Sequence, residues 1–135
     1  MNWAKTRQRK TTMTKSTEPS GNRRFDGTAH AQLIQSAKTA VSVDQAWLYL
    51  EAAHVVGQLH IRPHLQTHAQ MFNLSIRTRG WSEAVGQLFR LALVPLGHLS
   101  GRLPLGNPGR STVSAFEPLP VRSELAELIA RARDH

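Results

Sequence analysis

Residues 47–71, WLYLEAAHVVGQLHIRPHLQTHAQM, hold four of the chain's seven histidines and read as a helical hairpin. Trp47, Glu51, His54 and Gln58 recur at i, i+4, i+7 and i+11, which at about 100° per residue gathers them within an arc of roughly 60° on one helix. After a break at His60 to Pro63, His64 and His68 sit at i, i+4 on a second helix, with Met71 one turn further on the same face. A short connection folds the two helices antiparallel. Counting outward from a turn near residue 61 sets Gln58 opposite His64 and His54 opposite His68, with Glu51 about a turn beyond. Three imidazoles and a carboxylate are thereby expected to converge.

Such a donor set suits a divalent transition metal. Neutral imidazole and carboxylate are ligands for zinc, nickel, cobalt, copper(II) or ferrous iron, and i, i+4 histidines face a common point. Glu51, His54, His64 and His68 are the candidate ligands, with Gln58 as the group that orients an imidazole from behind. The competing reading is a hydrogen-bonded network in which His54 and His68 join Glu51, Gln58 or one another and hold two helices in register. A small-molecule or peptide pocket is the third. His30, His98 and His135 have no partner at helical spacing and read as surface residues.

The rest of the composition narrows the field. The chain has 135 residues, enough for one small domain, and no cysteine, which removes disulfides, thiolate chemistry and Cys-type zinc sites. No apolar run approaches a membrane span, and the N-terminus lacks the apolar centre of a secretory signal, so a cytoplasmic location is expected. The net charge of +8 is uneven: residues 1–26 carry +5 and the remainder +3. A basic tail beside a nearly balanced domain reads as a solvated extension over residues 1–27 rather than a nucleic-acid-reading arm. Its Arg- and Ser/Thr-rich composition also faintly suits a transit peptide, and a start further downstream, at Met13, is a competing reading.

Apolar periodicity then places four helices between residues 28 and 99. Ala31, Ile34 and Ala37 mark the first, extending to about Val41. Ser42 or Asp44 caps the second. Leu65, Ala69, Phe72 and Ile76 are expected to form the buried stripe of the third, and Val85, Leu88 and Ala92 that of a fourth ending at Pro95 and Gly97. Trp81 and Phe89 read as core, or failing that as an apolar patch for an unknown protein partner or a second copy. Residues 100–135 comprise a Gly/Pro-rich loop lying on the helices and a short terminal helix, VRSELAELIARAR. Within the loop, Asn107 and Gly109 could turn backbone N–H groups toward an anion, with Arg102 or Arg110 nearby.

VDQAWLYLEAAH and WSEAVGQLFRLA align at an offset of 38 residues, and the helical hairpins resemble tetratricopeptide-type repeats. EAAHVVGQ, RPHLQTH, GWSEAVGQLFRLAL and GRLPLGNPGRSTVSAF followed by EPLP together resemble a family of small bacterial proteins catalogued only as a domain of unknown function. The likeness covers roughly residues 30–120 and departs from the family pattern at Pro108, where threonine is usual. It implies a compact all-α hairpin domain and no activity. HExxH, GxxxxGK[ST] and GxSxG are absent, and Glu51-x-x-His54 is only half of a carboxylate-bridged di-iron motif, so nothing in the sequence calls for an enzyme.

Overall fold

The computed structural model describes residues 24–135, and within them the chain forms five helices and no strand. These are α1 (Gly27–Lys38), α2 (Val43–Gly57), α3 (Ile61–Arg77), α4 (Trp81–Ser100) and α5 (Ser123–Arg133). Most of the expected basic tail therefore lies outside the described residues. Its last residues belong to the fold: Asp26 Oδ1 caps α1 by accepting from Ala29 N at 2.9 Å, and the Phe25 ring packs on His30 and His60.

Helix starts follow local chemistry. Ser42 Oγ accepts from Gln45 N at 3.2 Å and caps α2. The connections at 39–42, 58–60 and 78–80 are too short for anything but reversal of direction, so α1 to α4 fold back in sequence. Contrary to expectation, α4 passes through Pro95, giving up the bond to the Leu91 carbonyl, and ends at Gly101, whose φ of 69° suits glycine. Pro95 faces solvent, where water can take the freed carbonyl.

The apolar core lies on one side of α2. Ala29, Leu33 and Ile34 of α1 meet Trp47, Leu50 and Ala53 of α2, Met71 of α3, and Leu125, Ile129 and Ala132 of α5. Small residues allow close approach: a Cβ at Gly57 would lie 2.9 Å from Pro63 Cβ and 3.0 Å from the His30 ring. His30, expected at the surface, is buried in this seam, and its Nε2 bonds Thr67 Oγ1 at 2.9 Å. Because Thr67 Oγ1 donates to the Pro63 carbonyl, His30 is the donor of the pair.

Two buried faces differ from expectation. On α3 the stripe is displaced by one position: His64, Thr67, His68, Met71 and Ser75 are buried, while Ala69 and Ile76 are exposed. On α4 the phase is reversed, with Ala84, Gln87, Arg90 and Val94 inside and Trp81, Val85, Leu88 and Phe89 outside. Leu88, which aligns with the buried Leu50 in the internal repeat, therefore sits in the opposite environment.

Leu125 is fully buried although it follows a 22-residue loop. Leu125→Ala is expected to lower unfolding free energy by about 2–5 kcal/mol in urea titration, because the cavity would open between α1, α2 and α5. A loss below about 1 kcal/mol would mean that α5 is not an integral wall of the core.

Candidate metal centre

The Trp47 stripe is buried along its whole length, with Trp47 under Arg110, Glu51 held by Arg110 and Arg122, and His54 turned toward α3 and the loop. His54 Nε2 lies 3.0 Å from His64 Nε2 and 3.1 Å from His68 Nε2, and the three rings pack with centroids 4.7–4.9 Å apart. All three residues are at most 4% exposed. The donor nitrogens lie within 4.8 Å of one another, so the predicted imidazoles of two helices do converge.

Each ring has a fixed partner at its far nitrogen. His54 Nδ1 is 2.8 Å from the Asn107 carbonyl. A carbonyl only accepts, so this nitrogen carries the proton and Nε2 is a bare lone pair. His68 Nδ1 is 2.7 Å from Gln87 Oε1. The Gln87 amide cannot be reversed, because its nitrogen donates to Glu83 Oε1 at 2.8 Å and to the Gly109 carbonyl at 2.9 Å. His68 is therefore also protonated at Nδ1 and bare at Nε2. His64 Nδ1 meets His98 Nε2 at 3.1 Å and can be in either tautomer.

If His64 carries its proton on Nε2, it satisfies the contact to His54. If it carries it on Nδ1, all three inner nitrogens are bare. In both cases His54 and His68 face each other lone pair to lone pair at 3.1 Å. Extra protons are disfavoured: burial, reinforced by the other two imidazoles, pushes His54 well below the usual histidine range. Burial takes His64 down to about 3, helped by His68 and His98, and takes His68 down to about 4 against the opposing hydrogen bond to Gln87.

Glu51 does not join the triad. Its carboxylate is held by Arg110, with Nη1 at 3.2 Å, and by Arg122. Burial raises its pKa against the pull of both guanidiniums. Gln58 is also buried, yet among the described residues its Oε1 has no hydrogen-bond partner and it contacts no ring nitrogen of the triad by hydrogen bond. The orienting groups are instead Asn107, Gln87 and His98, none of which sequence spacing identified for that role. His98, read as a surface residue, is the one that meets His64.

The loop expected to cradle an anion is committed to internal bonds. Asn107 Nδ2 donates to the carbonyls of Ser114 (2.7 Å) and Glu117 (3.0 Å), and its Oδ1 accepts from Gly109 N at 2.9 Å. Arg110 sits over Trp47, its Cζ 3.8 Å from the ring centroid, and its Nε is 3.4 Å from Glu83, an ionic contact outside hydrogen-bond alignment. Arg90 Nη2 donates to the carbonyls of Arg110 and Val113 and pins the loop to α4. Burial alone would raise Glu83, but bonds from Ser111 and Gln87 and the Arg110 charge hold it below its ordinary range. Gly109 has φ 85° and presses on the site: a Cβ there would lie 2.7 Å from His54 Cδ2. Of the four loop residues expected to bind an anion, only Arg102 and Asn107 reach the space above the triad. That space is a cavity of about 510 Å³ with the three imidazoles in its wall and Leu93, Val94, Leu103 and Phe116 around them.

A family model described as a protein of unknown function (DUF3703) matches residues 26–129, from the cap of α1 to Ile129 of α5. The chain belongs to this family. No curated protein and no solved structure matches it. The DUF3703 region thus contains every residue of the triad and every group that orients it. No described helix is long and apolar enough to cross a membrane.

The depressed histidines give this chain's stability a pH dependence whose sign follows from their burial. The unfolded chain takes up protons on these residues near pH 6.5, whereas the folded one resists until about pH 4 at His68 and about pH 3 at His64. Stability is therefore complete above about pH 6.5 and declines toward pH 4, by about 1.4 kcal/mol per pH unit for each such histidine. Urea unfolding of chelator-treated protein across this range should show the decline, and a flat profile between pH 7 and 5 would mean that the imidazoles are hydrated.

Proposed function

We propose that this DUF3703 protein binds a divalent transition metal through Nε2 of His54, His64 and His68, with a fourth position open to the cavity. The observation that carries this reading is the pair of bare nitrogens of His54 and His68, facing each other at 3.1 Å while each ring's proton is committed to its outer partner. A cation at the centre of the triad turns that repulsion into coordination. A purely hydrogen-bonded network accounts for the His54–His64 contact and leaves the His54–His68 contact unexplained.

The geometry suits zinc. Zinc–nitrogen bonds of about 2.0–2.1 Å in tetrahedral array separate the nitrogens by about 3.3 Å, so the His54–His64 and His54–His68 separations of 3.0 and 3.1 Å need to widen by only a few tenths of an ångström. Three histidines with one vacant position is the arrangement of zinc sites that accept an exogenous ligand. Nickel, cobalt, copper(II) and ferrous iron accept the same donors and differ in preferred geometry. The Asn107 carbonyl and the Gln87 amide hold the outer N–H groups, which fixes the tautomer and makes the inner nitrogen more basic. A ligand reaching the fourth position passes between apolar walls, with Arg102 and Arg90 the cations of the cavity lining and Arg90 already bonded to two loop carbonyls.

Untagged protein, loaded with zinc, nickel, cobalt, copper or ferrous iron and desalted, is expected to retain about one metal per chain by mass spectrometry. His54→Ala/His68→Ala should lose it while keeping its helicity. Parent protein that stays metal-free under every loading condition would overturn the proposal. Gln87→Met keeps the triad but removes one orienting acceptor, and is expected to weaken metal affinity about 10–100-fold in competition with a chromophoric chelator. Unchanged affinity would remove Gln87 from that role.

A further inference from the structure

The outward face of α4 is built for contact with another surface. Trp81, Val85, Leu88, Phe89, Leu96 and Leu99 are between 56% and 87% exposed. Every exposed position of this 20-residue helix is apolar or serine, and its ionisable and amide side chains, Glu83, Gln87, Arg90 and His98, turn toward α3 and the loop. A helix with its polar side inward and its apolar side in water inverts the usual order.

Six of the exposed residues keep a strict rhythm, with Phe89 and Leu96 flanking it. Positions 81, 85, 88, 92, 95 and 99 advance in alternating steps of four and three, the seam of two helices packed at a shallow angle. This seam is symmetric about position 90. Laid antiparallel on itself, it sets Trp81 against Leu99, Val85 against Pro95, and the large Leu88 against the small Ala92. We infer that α4 pairs with α4 of a second copy of this chain, antiparallel about a twofold axis beside Arg90.

Three considerations favour a second copy over other occupants. The chain carries a net charge of +8, and the uncharged face of α4 lets two copies meet without opposing like charges. Antiparallel pairing also opposes the helix dipoles favourably. Six side chains each exposing on the order of 100 Å² give about 600 Å² per copy, or about 1,200 Å² for the pair, at the lower end of stable specific interfaces. The chain's own residues 1–23 are a poor cover, since apart from Pro19 their apolar side chains are Met1, Trp3, Ala4 and Met13, set among six Lys and Arg. Leu96 and Leu99 belong both to this face and to the cavity wall above the triad, so Trp81 of the partner subunit would border the cavity mouth. The dimer stands on the α4 face alone and does not require a metal.

Light scattering on untagged full-length protein at about 100 µM is expected to give twice the 15.0 kDa chain mass. Leu88→Glu should weaken the dimer at least 100-fold with unchanged helicity, because position 88 is exposed in the single chain. The chain has no cysteine, so cross-links are unambiguous. Val85→Cys/Pro95→Cys should oxidise to a covalent dimer, and Val85→Cys alone should not, since the two copies of position 85 lie about 15 Å apart along an antiparallel pair. Rapid cross-linking of the single variant would overturn the antiparallel register. A monomer at 100 µM, whether inert or bound to anionic phospholipid vesicles, would overturn the dimer, and the second result would assign the face to a lipid surface.

Discussion

The contact between His54 Nδ1 and the Asn107 carbonyl governs the site. It fixes the tautomer of one imidazole, and it does so only if the loop runs against α2 in a single conformation. That conformation depends in turn on the three hydrogen bonds of the Asn107 side chain, on Gly109 lying where no Cβ fits, and on Arg90 gripping two loop carbonyls. A polar group removed from water must find its partner inside the protein. Here a backbone carbonyl, an asparagine and an imidazole satisfy one another, and the bare nitrogen left over points at the other two rings.

The molecule therefore has two interiors divided by α2. On one side, Leu33, Leu50, Met71, Leu125 and Ile129 exclude water by apolar burial, with the His30–Thr67 hydrogen bond in the same seam. On the other, His54, His64, His68, Gln87, Arg90 and Asn107 are as deeply buried but are held by directional bonds. The first tolerates small shape changes. The second does not, because losing one partner strands another group without solvent. Glu51 joins the two: it leaves α2 beside His54, and Arg110 and Arg122 carry its charge away from the imidazoles.

The stripe Trp47, Glu51, His54, Gln58 and the pair His64, His68 were legible because helical spacing is a local property and the hairpin between them is short. Glu51 was misplaced because its partners lie 59 and 71 residues along the chain, beyond any periodicity. His98, Gln87 and Asn107 were missed as orienting groups for the same reason, though the odd composition of the loop did draw attention to Asn107. On α4 the period was right and the phase inverted. Apolar periodicity identifies an apolar face and does not say whether that face meets the chain's own core, and here Gln87 and Arg90 turned inward to bonds that only the folded loop provides.

Chain order adds a constraint in time. The three imidazoles lie on consecutive helices, whereas the carbonyl that sets the tautomer of His54 arrives 53 residues later, and Arg122, the second clamp on Glu51, later still. At about 5–20 residues per second of synthesis, that carbonyl follows His54 by roughly 3–10 s. During that interval the nascent hairpin presents imidazoles whose protons are still free to exchange between ring nitrogens. The ribosome therefore delivers a loosely organised histidine hairpin first and its tautomer-locked form only after the loop has been made.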